Sequence, residues 1–262
     1  MNKKFAKKSK KALGQNFLKS RDALSKIISA GELMKEDTVL EIGPGKGILT
    51  EELLKYAGKV TAVEKDRELF AYLSEKFRGE IKKEKLILVN DDILNLEASS
   101  LVPSAYKIIA NIPYNITGAI LKKFLTEEDQ PERMVLLVQK EVAERIIARD
   151  EKESILSISV KSYGTPNIVG KVSARYFSPA PKVDSAIIVI GDISRQFFKE
   201  NGLKEKKFWE IVRKGFAHKR KKLSGNLKNS VPALVLAELS DKRAENLSLE
   251  DWARLAKWDL DS

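Results

Sequence analysis

Glu41-Ile42-Gly43-Pro44-Gly45-Lys46-Gly47 sets an acid before three glycines at alternate positions. The segment leads from a β-branched run into an amphipathic stretch, so the chain turns there with no Cβ between its backbone and a ligand. The spacing is Gly-x-Gly-x-Gly, not the Gly-x-Gly-x-x-Gly that cradles a dinucleotide pyrophosphate, and the helix N-terminus need not hold phosphate. Glu64 ends the next β-branched run, 21 residues after Gly43, where a carboxylate can accept both hydroxyl protons of a ribose. Asp92 ends a third run, where a carboxylate can accept from an adenine amino group. Asp91 could serve in its place, and spacing does not choose between them. Three acids around one crevice suit a nucleoside cofactor that is positively charged and free of phosphate. S-adenosylmethionine has that chemistry, whereas NAD would bring pyrophosphate into an acidic setting.

Asn111-Ile112-Pro113-Tyr114 ends a fourth run and should face the same crevice. An exocyclic adenine amine is a poor nucleophile because its lone pair is delocalised into the ring. Two acceptors, the Asn111 side-chain oxygen and the Ile112 carbonyl, would favour the pyramidal form that attacks a methyl group. Pro113 holds the turn, and Tyr114 offers a ring on which a base can stack. Phe177, in Phe-x-Pro-x-Pro-Lys-Val, either closes the other face of an extruded base or is a core aromatic. Phe17 and Leu18 read by periodicity as packing residues. His218 lies among cations, where a phosphate contact fits better than catalysis.

These residues need a scaffold that brings strand ends together. From residue 38 the chain alternates β-branched runs, at 38–42, 59–63, 86–89, 107–110 and 134–138, with helical periodicity at 48–57, 67–77, 117–125 and 140–148. That alternation signals βαβ units and a mostly parallel sheet. Residues 167–177 and 185–190 read as two further strands joined by Ser178-Pro179-Ala180-Pro181, giving seven. Beyond Gly191 the pattern turns helical: 205–222, 232–239, and 248–257 with Ser248 as the cap. The division expected is a Rossmann-like domain over residues 1–194, with a basic N-terminal arm, and a small all-helical domain over 195–262, whose partner the charge and the resemblance below identify as RNA.

The 262 residues contain no Cys and one His, which excludes disulfides, thiol nucleophiles, cysteine zinc sites and a His-rich metal centre. No apolar run is long enough for a membrane helix, and the Lys-rich start has no apolar segment of the signal-peptide kind behind it. A soluble cytoplasmic protein is expected. The net charge of +11 is local: residues 1–21 carry +8 and residues 195–228 carry +9, so the remainder is acidic. Concentrated positive charge fits a polyanion, because each neutralised phosphate releases condensed counterions. One such run is an ordinary solvated helix face. Two on an otherwise acidic chain point to nucleic acid ahead of a membrane surface.

Taken together these motifs resemble the KsgA family of small-subunit ribosomal RNA adenine N6,N6-dimethyltransferases. The resemblance runs through Leu13-Gly14-Gln15-Asn16-Phe17-Leu18, Glu41 to Thr50, Val63-Glu64-Lys65-Asp66, Asp92 and Asn111 to Ile116. It continues through Phe177 to Ser185 and Arg243 to Ser248. It implies a Rossmann-like S-adenosylmethionine-dependent methyltransferase fold that dimethylates two adjacent adenosines near the 3′ end of 16S rRNA, with a role in small-subunit maturation. It implies a cofactor site of Asn16, Leu18, Gly43, Gly45, Glu64, Asp92 and Asn111, and a base site of Asn111, Ile112, Pro113, Tyr114 and Phe177. The implied partner is rRNA within a pre-ribosomal 30S-type particle, with no metal and no membrane, and a monomer is expected. The chain departs from the family pattern at Lys219, where an Arg is usual, and at Gly225, where an Asn is common. Lys lacks the bidentate fork of Arg. Two other readings compete: an assembly factor with a vestigial pocket, and a small-molecule methyltransferase, which leaves the basic segments without a purpose.

Overall fold

The computed structural model describes residues 15–228 and 230–258. Leu13, Gly14 and the first six lysines of the basic arm lie outside that range. In chain order the elements begin with β1 (Phe17–Leu18), α1 (Arg21–Gly31), β2 (Thr38–Ile42), α2 (Ile48–Tyr56), β3 (Lys59–Val63), α3 (Arg67–Lys76), α4 (Arg78–Lys82) and β4 (Leu86–Val89). They continue with β5 (Lys107–Asn111), α5 (Thr117–Thr126), β6 (Arg133–Gln139), α6 (Lys140–Ile146), α7 (Ile155–Lys161), β7 (Thr165–Val172), β8 (Phe177–Ser178) and β9 (Ser185–Gly191). No helix among the described residues is long and apolar enough to cross a membrane.

Seven strands form one sheet in the order β4-β3-β2-β5-β6-β9-β7. β2 to β6 pair in parallel and β9 runs antiparallel to β6. Side chains alternate across this sheet with the strand period of two. Val39, Ile109, Val135 and Ile187 join one buried cluster with Ile27 of α1, Leu53 of α2 and Leu73 of α3. Their neighbours Leu40, Ile108, Leu136 and Ile188 point the other way and are equally buried. Burial on both faces is why these strands read as continuous apolar runs. The order reverses at β2, with β3 and β4 on one side and β5 and β6 on the other. A crevice therefore opens beyond the C-terminal ends of β2 and β5, the usual ligand position of such sheets.

The stretch 167–177, expected as one strand, is three segments. β7 ends at Val172, a 3-10 turn spans Ala174–Tyr176, and β8 leaves the large sheet to pair with β1, with Leu18 opposite Phe177 and Phe17 opposite Ser178. Asp184 Oδ1 accepts from Ala174 N at 2.9 Å and Tyr176 O accepts from Lys19 N at 2.8 Å, which turns the chain away from the sheet edge.

The chain divides into two compact units: residues up to Ala143 with Asn167–Gly191, and Glu144–Pro166 with the residues from Asp192 onward. The second is helical, with α7, α8 (Gln196–Glu200), α9 (Glu205–Gly215), α10 (Leu223–Leu227), α11 (Ala233–Leu236) and α12 (Leu249–Lys257). It takes in residues 144–166, which the sequence pattern grouped with the strands. The helix expected over 205–222 stops at Gly215. A Cβ there would meet the Trp252 ring at 2.3 Å, and Asn226 Nδ2 donates to the Gly215 carbonyl at 2.6 Å. The adjacent cations Lys219 to Lys222 repel one another and do not prolong it. Ser248 caps α12 in a capping box with Asp251, as its spacing predicts.

Candidate active site

The turn after β2 is built on left-handed backbone: Gly43, Gly45 and Gly47 have φ of 68°, 61° and 72°. An L side chain is strained at such angles. Gly47 is also closed in by packing, since its Cβ would lie 2.5 Å from Phe77 Cε2 and 2.8 Å from Leu73 Cδ2. Gly47→Ala is expected to destabilise the protein by about 1–3 kcal/mol, read as a lower denaturation midpoint in urea. Gly45 is bounded by the Phe17 ring, 3.1 Å from a would-be Cβ. Lys46 Nζ sits 4.9 Å from the centre of that ring, so the loop and β1 hold each other by packing and a cation–π contact.

The acids around this turn are not equivalent. Glu41, inside β2, is 1% exposed, and Thr50 Oγ1 donates to its Oε2 at 2.6 Å. Burial pushes its pKa up to about 8, reinforced by the charge of Glu64 and opposed by the Thr50 hydrogen bond and Lys76. Near pH 7 Glu41 is therefore mostly protonated, so the crevice is less acidic than three carboxylates would make it. Glu64 directly follows β3 and accepts from Gly45 N at 3.1 Å and Asp66 N at 2.8 Å. Asp92 accepts from Lys65 Nζ at 2.7 Å and from Leu94 N at 3.1 Å, and the Lys65 hydrogen bond is the main reason its pKa lies below the usual value. Asp91 is exposed and accepts from Asp92 N at 2.7 Å.

Asn111 closes β5. Its Nδ2 donates to the backbone carbonyl of Asn16 at 3.2 Å, which fixes the amide so that Oδ1 is left as the acceptor. The Tyr114 hydroxyl and Ser185 Oγ are 2.6 Å apart, and partial burial of the phenol raises its pKa. That bond pins the half-buried ring from its far end. The turn between is tied by Ile116 N to Pro113 O at 3.2 Å and Thr117 Oγ1 to Tyr114 O at 3.1 Å.

These parts line one cleft of about 550 Å³. Asn16 and Leu18 form one wall, Gly43 and Gly45 the turn, and Glu64 with both Asp91 and Asp92 the acidic side. The fourth side is Asn111-Ile112-Pro113-Tyr114. Phe177 does not reach the cleft: it is 2% exposed in the core cluster, opposite Leu18, and its neighbour Ser178 lines the cleft instead. Lys46, Lys65 and Lys76 also line it and were not singled out by the sequence. Lys76 Nζ donates to the Lys46 carbonyl at 2.9 Å and pairs with Glu51 at 2.9 Å. Its spacing on an amphipathic helix gives no hint of this reach.

The family model described as ribosomal RNA adenine dimethylase matches residues 6–260. The sequence is 41% identical over 259 residues to the Ribosomal RNA small subunit methyltransferase A of Dehalococcoides mccartyi, covering 95% of this chain and 87% of that one. It is 37% identical over 264 residues to the protein of the same name from Fusobacterium nucleatum, covering 95% and 97%. Among solved structures, a dimethyladenosine transferase from Plasmodium falciparum superposes with a TM-score of 0.77 at 28% identity, over 91% of this chain and 95% of that one. The 23S rRNA methyltransferase ErmE superposes with a TM-score of 0.76 at 29% identity, over 94% and 100%. Sequence match and whole-chain superposition thus agree with a cleft at the switch point of a Rossmann-like sheet, and the chain belongs to the ribosomal RNA adenine dimethylase family.

Proposed function

We propose that the cleft binds S-adenosylmethionine beside an extruded adenine, and that the protein dimethylates N6 of two adjacent adenosines near the 3′ end of 16S rRNA within a small-subunit precursor. The residues fit the cofactor. The left-handed glycine turn leaves the cleft floor free of side chains at Gly43, Glu64 and Asp92 suit ribose hydroxyls and an adenine amine, and the N–H groups of Gly43, Gly45 and Gly47 are engaged by Val63 O, Glu64 and Pro44 O, so they do not cradle a phosphate. Asn16, Leu18 and Asn111 complete the cofactor's surroundings. Asp92 is preferred to Asp91 because the backbone N–H of Leu94 and the Lys65 ammonium hold its carboxylate in place.

When bound, the cofactor supplies an electrophilic methyl group on a sulfonium. The chain's residues position and desolvate the other reactant. Asn111 Oδ1 and the Ile112 carbonyl accept the two N6 protons, Pro113 sets their separation, and the Tyr114 ring stacks on the base. The alkylated nitrogen is strongly acidic and loses its proton to water, so no residue need act as a general base. Phe177 supports Leu18 from the core. The basic segments, including the exposed cations Lys219 to Lys222, supply phosphate contacts.

The observation that carries this reading is the Asn111 amide, anchored through its nitrogen and facing the cleft it shares with the glycine turn. The test is incubation with labelled S-adenosylmethionine and small-subunit particles from a strain lacking the modification, followed by RNA digestion and mass analysis. Dimethyladenosine in the small-subunit RNA is the expected product. Label in large-subunit RNA or in a free nucleoside, or an unlabelled particle, overturns the reading.

A further inference from the structure

Just before buried Phe177 and the cleft residue Ser178, the chain presents Arg175 and Tyr176 to solvent, and no step described above uses them. Tyr176 is 39% exposed. The Arg175 guanidinium lies 4.9 Å from the ring centre, and its Nη2 donates to the phenol oxygen at 3.1 Å. The pair is a flat, cationic, amphipathic surface on a braced backbone. Tyr176 N donates to Ser173 O at 3.0 Å, and Lys19 N donates to Tyr176 O at 2.8 Å. From the next residue onward the chain is fixed in the β1–β8 ladder.

We propose that Tyr176 and Arg175 form a stacking platform for the nucleotide adjoining the target adenosine in single-stranded RNA. The proposal rests on the RNA-methylating reading of the cleft and adds a second base subsite to it. One residue, Phe177, separates Tyr176 from the cleft wall at Ser178, a span of two residue steps or at most about 7 Å, so a base next to the one in the cleft reaches the ring. Aromatic faces and guanidinium planes are the surfaces on which unpaired RNA bases stack, with little regard to base identity. The surrounding charge favours a polyanion. Lys19 lines the cleft beside the pair and Lys171 is exposed, whereas Asp184, the nearest acid in sequence, has one carboxylate oxygen engaged by Ala174 N. The platform aligns the strand, so it should act on RNA capture and not on methyl transfer itself.

The test uses the full chain and a single-stranded RNA of the target sequence carrying 2-aminopurine on one side or the other of the target adenosine. On wild-type protein the probe's fluorescence is expected to be quenched by stacking on one of those two sides. Tyr176→Ala should remove that quenching and raise KM for RNA about tenfold, with kcat and cofactor affinity unchanged, and Tyr176→Trp should restore both. Arg175→Ala should weaken quenching to a lesser degree. Both side chains are exposed, so circular dichroism of the variants should match wild type. Equal quenching and equal KM in wild type and Tyr176→Ala overturn the platform while leaving the cleft reading intact. Inactivity of the wild-type protein on particle and RNA counts against the cleft reading, and undiminished quenching by Tyr176→Ala in that setting still overturns the platform.

Discussion

Asn111→Ala is expected to lower the rate of methyl transfer by about 10²–10³-fold, the range found when one preorganised polar contact to a reacting group is removed, while cofactor binding stays measurable. The amide is held by its nitrogen against the Asn16 carbonyl, so Oδ1 is oriented before substrate arrives and no reorganisation is needed on arrival. Alanine removes the acceptor and leaves the Asn16 carbonyl without that donor. Asn111→Asp separates the two roles. It keeps an oxygen towards the amine but sets a carboxylate oxygen against the Asn16 carbonyl, and that repulsion should turn the group out of position. Both variants should therefore lose single-turnover rate on small-subunit particles, although the aspartate variant retains the bulk of the side chain. Equilibrium titration with the cofactor controls for collapse of the cleft. A wild-type yield of dimethyladenosine from the alanine variant would remove Asn111 from the chemistry.

Much of this arrangement is legible in the residues because strong local signals coincide with it. The runs that became β2 to β6 are apolar on both faces and, except between β4 and β5, separated by helices whose buried positions recur at 3.6, so their type and order follow from periodicity. The glycine turn and the Asn-Ile-Pro-Tyr turn are visible because only particular residue types tolerate those backbones. What stayed hidden depends on distant partners. The anchor of Asn111 is a backbone carbonyl 95 positions away, and a carbonyl carries no residue-type signal. Ser185, which pins Tyr114, lies 71 positions on and reads only as the start of a strand. β1 and β8 are two residues each, too short for any period, so Phe177 reads as the end of a longer strand. α7 escaped because Ser157 and Ser159 interrupt its short apolar run, although Ser154 and Ser157 form its capping box. The glycine at the end of α9 is required by the Trp252 ring, 37 positions after Gly215.

Glu41→Gln is expected to abolish a loss of stability that the wild-type protein suffers as pH rises. The folded-state pKa of Glu41 is raised from 4.5 to about 8, chiefly by burial, with Glu64 adding to the rise and Thr50 and Lys76 opposing it. Below about pH 4.5 both folded and unfolded chains hold the proton, and the carboxyl contributes no pH dependence. Between there and about pH 8 the unfolded chain has released the proton while the folded chain retains it. Folding then takes up a proton, and stability falls by about 1.4 kcal/mol per pH unit at most. Above pH 8 the loss levels off at a few kcal/mol. Glutamine has nearly the same shape, can still accept from Thr50 Oγ1, and carries no charge at any pH. The variant should match wild type at pH 4 and exceed it at pH 8.5, with a melting temperature higher by roughly 10 °C or more for a chain of this size. Urea unfolding at the two pH values gives the difference free of the temperature dependence of ionisation. Parallel pH profiles for wild type and variant would place the titrating group elsewhere.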